Sequence, residues 1–188
     1  EKSQTLHLTN GRISYLTKVL PNGTLGQLYF GRAIRDRESF DHLLEFASRP
    51  MSSCVFEGNP YFSLEHCRQE YPSHGSTDFR RPAVELRQPN GSRITSFVYH
   101  SHTVTPGKPA LEGLPATYCE QDSEAETLTI RLQDELLNVS VYLNYTLFAN
   151  HPALARSARI VNEGGLELHL THAMSLSLDL PDREYELL

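Results

Sequence analysis

A chain of 188 residues, 39% hydrophobic and 21% charged, is long enough for one domain with a real core. The net charge of -6, with Lys and Arg scattered along the chain, excludes the clustered basic surface on which nucleic-acid affinity rests. No apolar run approaches the length of a membrane-spanning helix, so no membrane partner is expected.

Residues 5–9 and 12–20, TLHLT and RISYLTKVL around Asn10-Gly11, read as a hairpin in which Ile13, Tyr15, Thr17 and Val19 alternate with period two. Pro21-Asn22-Gly23 turns the chain into residues 25–31, completing a three-strand meander. Residues 32–60 break the pattern. Phe40, Leu43, Leu44 and Phe46, spaced by three and four after a charged run, predict a short helix with Ser39 as its N-cap. Pro50, Gly58 and Pro60 leave room only for a short strand at 54–57. A stretch this long with so little regular structure is usually functional.

Residues 63–83, SLEHCRQEYPSHGSTDFRRPA, are the most polar part of the chain and hold Glu65, His66, Cys67, Arg68, Glu70, His74, Asp78, Arg80 and Arg81. Such a cluster in a β-rich chain marks an interface or the edge of a site. Residues 84–87, the turn Pro89-Asn90-Gly91 and residues 93–105 then read as a long hairpin. After the connector PGKPALEGLP, residues 127–132, 137–147, 155–161 and 166–180 read as strands, the last two linked by Asn162-Glu163-Gly164-Gly165. The expected class is all-β, a large antiparallel β-sandwich in one domain over 1–188. The last residues follow directly on a strongly patterned strand, which reads as a cut in a longer polypeptide.

The chemistry-bearing residues form no familiar constellation. Cys54, His66, Cys67 and His74 lack metal-ligand spacing, and His100 and His102, two apart on a strand, are more simply two histidines on a half-exposed face. There is no G-x-S-x-G elbow. Glu65, Glu70 and Asp78 could supply a carboxylate pair for glycoside chemistry, but beside Arg68, Arg80 and Arg81 they read first as ion pairs. Neither a metal nor a cofactor is called for. The three cysteines, Cys54, Cys67 and Cys119, suit a reducing compartment, so a cytoplasmic location is expected. The four N-x-S/T sequons, at Asn22, Asn90, Asn138 and Asn144, are weak evidence against it, because turn chemistry accounts for Asn22 and Asn90. With no Trp in the chain, a self-contained sugar-stacking module is weakly supported.

LGQLYFGR, RPMSSCVFEG, EYPSHGSTDFRRPAVE, GKPALEGLPATY and MSLSLDLPDREYE together resemble consecutive signatures of bacterial family 36 α-galactosidases, from about Ile13 onward. The resemblance implies the amino-terminal β-supersandwich of such an enzyme, of the galactose-mutarotase-like kind. It also implies a catalytic (β/α)8 barrel as the domain's partner, carrying both catalytic aspartates, so no residue here takes a catalytic role. The implied reaction is retaining hydrolysis of terminal α-galactosides such as melibiose and the raffinose series. In similar enzymes the sandwich helps assemble a homotetramer, and its early loop, here residues 40–56, reaches a neighbouring subunit's active site. Some relatives place an Asp before the Arg of that loop, where it hydrogen-bonds the galactosyl unit; here Ser48 precedes Arg49. Serine can bond a sugar hydroxyl but cannot supply a carboxylate's charge-assisted contact. Ser48 and Arg49 are therefore the expected substrate-binding pair. The alternative is a non-catalytic carbohydrate-binding or oligomerisation sandwich, since fold does not fix function.

Overall fold

In the computed structural model, residues 4–44, 59, 62–75, 79–180 and 184 are described, and all structural statements refer to these. Nine strands run in chain order: β1 (Thr5–Thr9), β2 (Ile13–Val19), β3 (Leu25–Arg32), β4 (Val84–Arg87), β5 (Val98–Pro106), β6 (Ala125–Asp134), β7 (Val139–Phe148), β8 (Leu154–Asn162) and β9 (His169–Ala173). They form three antiparallel sheets, β1-β2-β3, β4-β9 and β5-β6-β7-β8.

Period-two patterning decides which way each sheet faces. In β6 and β7, Leu128, Ile130 and Leu132 pair with Tyr145, Leu143 and Val141, and all six are buried. The same core takes Tyr15 and Leu25 from the meander, Val84 and Leu86 from β4, and Phe97. One core drawn from all three sheets sets β1-β2-β3 and β4-β9 against the inner face of β5-β6-β7-β8. Each aliphatic side chain fully removed from water contributes about 1.5–3 kcal/mol. The antiparallel, all-β expectation holds, and the meander forms with Gly23 at φ 85° in its second turn.

Three local expectations are corrected. The turn at Pro89-Asn90-Gly91 forms, with Gln88 N–H donating to Ser92 O at 2.8 Å, but β4 does not pair with β5. Its partner is β9, since residues 92–97 are held elsewhere: Thr95 N–H donates to His74 O at 3.2 Å and Ser96 N–H to Asp134 Oδ2 at 2.7 Å. The helix expected from Phe40 onward is a single 3-10 turn, Asp41–Leu43, with Phe40 as N-cap, although the Ser39 hydroxyl does accept from Asp41 N–H. Of the strand expected over 166–180 only His169–Ala173 is paired; residues 174–180 run on without a strand partner among the described residues. The strand expected at 54–57 lies outside the described residues.

Candidate functional site

Residues 62–72 are largely buried against the meander and the main core rather than lying on the surface. Their backbone runs beside β3, with Gln27 N–H donating to Arg68 O at 3.0 Å and Glu70 N–H to Leu25 O at 2.9 Å. That register carries the Glu70 side chain into the core, where it is fully buried. The buried carboxylate is compensated on every side. Tyr15 Oη–H points at both its oxygens, 2.9 and 2.7 Å away, and Tyr145 Oη–H donates at 2.7 Å. Arg156 of β8, itself buried, closes the ion pair and stacks its guanidinium 4.4 Å from the centre of the Tyr145 ring.

The electrostatics follow from burial. Loss of water pushes the Glu70 carboxyl up from its usual range, against the pull of Arg156 and the two tyrosine hydroxyls. Burial, reinforced by the Glu70 charge, raises Tyr15 and Tyr145 well above an ordinary phenol, so both remain donors. With its oxygens committed to three partners and closed off from solvent, Glu70 presents no free oxygen to a substrate. Its chemistry is that of a cross-link joining β2, β7, β8 and the 62–75 segment.

The same segment anchors the irregular loop that precedes it. Arg68 Nη2 donates to Leu28 O at 3.2 Å and to Leu43 O at 3.4 Å. Lys18 of β2 pairs with Asp41, whose carboxyl is held below the usual range chiefly by the Lys18 hydrogen bond. Leu44 packs on two small cores at once, Leu20, Phe62, Leu64 and Cys67 on one side and Leu16, Leu28 and Phe40 on the other. Both feet of the stretch between Leu44 and Phe62 are thus fixed to the meander. Ser48 and Arg49, on that stretch, lie outside the described residues, as do Cys54 and Asp78.

At the other end of the polar segment, Arg80 donates to Leu64 O at 3.2 Å, to Cys67 O at 2.8 Å and to Asp179 Oδ2 at 2.6 Å. The pair floors an open cleft rimmed by Glu65 and by Phe79, which is 85% exposed. A bare aromatic beside a guanidinium and carboxylates suits contact with another polypeptide surface.

The other sequence candidates are dispersed. A bulge between Tyr99 and Ser101 takes His100 out of step with His102, which bonds Tyr99 Oη at 2.7 Å while His100 bonds Ser101 Oγ at 3.1 Å. The two histidines therefore do not act as a pair. No group of three His, Cys, Asp or Glu side chains among the described residues is arranged around a metal position. Glu65 lies 3.9 Å from His66, and the buried Cys67 thiol donates to Ser63 O at 3.6 Å. Arg156 escaped the sequence reading, although the pattern contained it: in LARSARIV the alternation places Arg156 on the inward face between Leu154 and Ala158.

Comparison with known proteins agrees with this architecture. The model of the glycosyl hydrolase family 36 N-terminal domain matches residues 23–188. Alpha-galactosidase AgaA of Geobacillus stearothermophilus is 40% identical over 98% of the chain, and alpha-galactosidase Mel36A of Lactobacillus acidophilus is 32% identical over 100% of it. The chain spans about a quarter of each, 25% and 26%. A crystal structure of an AgaA variant in complex with raffinose superposes with a TM-score of 0.88 at 40% identity, covering 95% of this chain and 25% of that one. The α-galactosidase of Lactobacillus brevis superposes with a TM-score of 0.90 at 35% identity, covering 97% and 24%. Matched from residue 23 to its last residue by the family model, the chain belongs to glycosyl hydrolase family 36, in its N-terminal domain.

Proposed function

We propose that the chain is the amino-terminal part of a retaining α-galactosidase that removes terminal α-D-galactosyl residues from melibiose and raffinose-type oligosaccharides in the cytoplasm. The observation that carries this reading is 40% identity along 98% of the chain to an enzyme named an alpha-galactosidase. The catalytic carboxylates of such a reaction belong to the barrel, which the domain partners, and none is assigned here. The domain's own part is to help assemble a homotetramer and to complete the active site with the 40–56 loop. Ser48 and Arg49 are the residues that meet the galactosyl unit. Support for that role comes from the loop's two fixed feet, since a group that completes a site works only when held in place.

The test uses the full-length protein and its Ser48→Ala/Arg49→Ala variant. Release of p-nitrophenol from the α-galactoside and cleavage of raffinose are assayed beside mass by light scattering. Wild-type hydrolysis, with a raised KM and an unchanged oligomer in the variant, supports the reading. A variant that dissociates with unchanged KM makes the loop an assembly element alone, and a wild type without α-galactosidase activity overturns the reading altogether.

A further inference from the structure

The outer face of the β5–β8 sheet, away from the core, carries a row of hydroxyl and amide groups that the family reading does not use. The row lies under the connector between β5 and β6. That connector is rooted by Gly107, whose N–H donates to Ala125 O at 2.7 Å and whose carbonyl accepts from Thr127 Oγ1 at 2.7 Å. Between connector and sheet is a cleft of about 210 Å³, floored by Asn144, Thr146 and Ser157 and walled by Pro109 and Leu111.

The floor's hydrogen bonds leave a defined remainder. Thr127 spends its hydrogen on Gly107 O, so in its 2.7 Å bond with Thr146 it accepts, and Thr146 keeps its lone pairs. Asn144 Oδ1 accepts from Thr129 Oγ1 at 2.8 Å, and one amide hydrogen goes to Ser157 Oγ at 3.2 Å. The second Asn144 hydrogen and the Ser157 hydroxyl hydrogen have no acceptor among the described residues. Lys108 at the rim has no carboxylate partner among them either. The cleft thus offers two neutral donors and one acceptor on its floor, with the Thr117 hydroxyl, an ammonium and an apolar wall around them.

From this we propose that the cleft is a binding site for a neutral pyranose. The volume holds about seven waters at ~30 Å³ each, or one sugar ring. Adjacent sugar hydroxyls both donate and accept, which suits Thr146 beside Asn144 and Ser157, and the ring's C–H face suits Pro109 and Leu111. An inorganic anion would gain from Lys108 at the rim but would meet the Thr146 lone pairs on the floor, and an apolar ligand would strand the donors.

The test is saturation-transfer NMR on the full-length protein with methyl β-D-glucopyranoside, which is not an α-galactoside. Wild type is expected to transfer saturation to the ring protons. Asn144→Ala/Ser157→Ala is expected to weaken binding about tenfold, while hydrolysis of p-nitrophenyl α-galactoside stays within about twofold of wild type. Ala116→Trp, an exposed change on the connector beside the cleft, blocks it without touching the sheet and decides the matter if the sheet variant fails to fold. Absence of transfer to wild type, or transfer that survives Ala116→Trp, overturns the proposal. Loss of hydrolysis in wild type would instead count against the family activity and leave the cleft's binding result standing.

Discussion

Glu70, on the segment between β3 and β4, and Arg156, on β8, form an ion pair in the core, with both tyrosine hydroxyls on the carboxylate. Removing one member leaves the other charged and buried, which costs about 3–5 kcal/mol, whereas replacing both with apolar or neutral groups of similar size costs far less. Arg156→Met alone should therefore unfold at markedly lower urea concentration by circular dichroism. The double variant Glu70→Gln/Arg156→Met should recover a good part of that loss. Single and double variants of equal stability would show that the pair is not coupled.

Acid should weaken the domain through specific carboxylates. Asp41, Glu85 and Glu163 are each held below the usual range, chiefly by hydrogen bonds from Lys18, Thr171 and Ser140 respectively. A depressed folded-state value means the stabilisation is complete above the unfolded-state value and disappears as pH falls through the folded one. Melting temperature should hold steady from neutral pH to about 5 and decline below the ordinary carboxylate range of roughly 4. Glu85→Gln/Glu163→Gln should flatten that decline, and an unchanged acid limb would assign it to other groups.

Two glycines with the same backbone hand should respond differently to alanine. Gly91 has φ 85° with nothing within 4 Å of an added Cβ, so Gly91→Ala costs only the left-handed conformation, about 1–2 kcal/mol. Gly75 has φ 94°, and a Cβ there would come within 2.9 Å of the Ile94 backbone. Gly75→Ala should be the more destabilising in thermal melts, because the main chain of residues 92–97 must move as well.

Much of the sandwich was legible because its strands alternate. In VSVYLNYTLF the alternation marks Val139, Val141, Leu143 and Tyr145 as the core face, and Asn-Gly pairs mark the turns. In ISYLTKV it marks the strand but not its surroundings, since Ser14 to Lys18 are all buried, Tyr15 in the main core and Leu16 in a smaller one on the other face. Pairing was less legible, because alternation says which face is buried but not which neighbour buries it. Val84–Arg87 fits β5 or β9 equally by pattern, and the contacts of Thr95 and Ser96 decide for β9. Residues 174–180 show the same limit, since SLSLDL has strand periodicity but pairs with no strand among the described residues. The polar segment 63–83 was visible as a cluster, yet only the fold separates Glu70, drawn inward by its register with Leu25, from Arg80 near the surface. Ser48 and Arg49 came from family resemblance, and no signal in residue type or spacing would have singled them out.

Arg80 ties residues 174–180 to the rest of the domain. That stretch is held at two points. At its start, Met174 N–H donates to Ala83 O at 2.8 Å and Tyr71 Oη–H donates to Met174 O at 2.7 Å. At its end, Asp179 receives Arg80 and donates its N–H to Gln27 Oε1 at 3.2 Å. Arg80→Ala removes the ion pair and leaves the carbonyls of Leu64 and Cys67 without that donor. The partly exposed Arg80–Asp179 bond is worth roughly 1 kcal/mol, and at 1.4 kcal/mol per decade the local opening constant should rise about fivefold. Amide exchange should accelerate at Asp179 and Leu180 while β6 and β7, in the core, keep their protection. Tyr71→Phe should loosen the Met174 end and spare Asp179. Acceleration spread evenly over the domain in both variants would mean that residues 174–180 open only with global unfolding, and that Arg80 contributes to overall stability rather than to holding this segment.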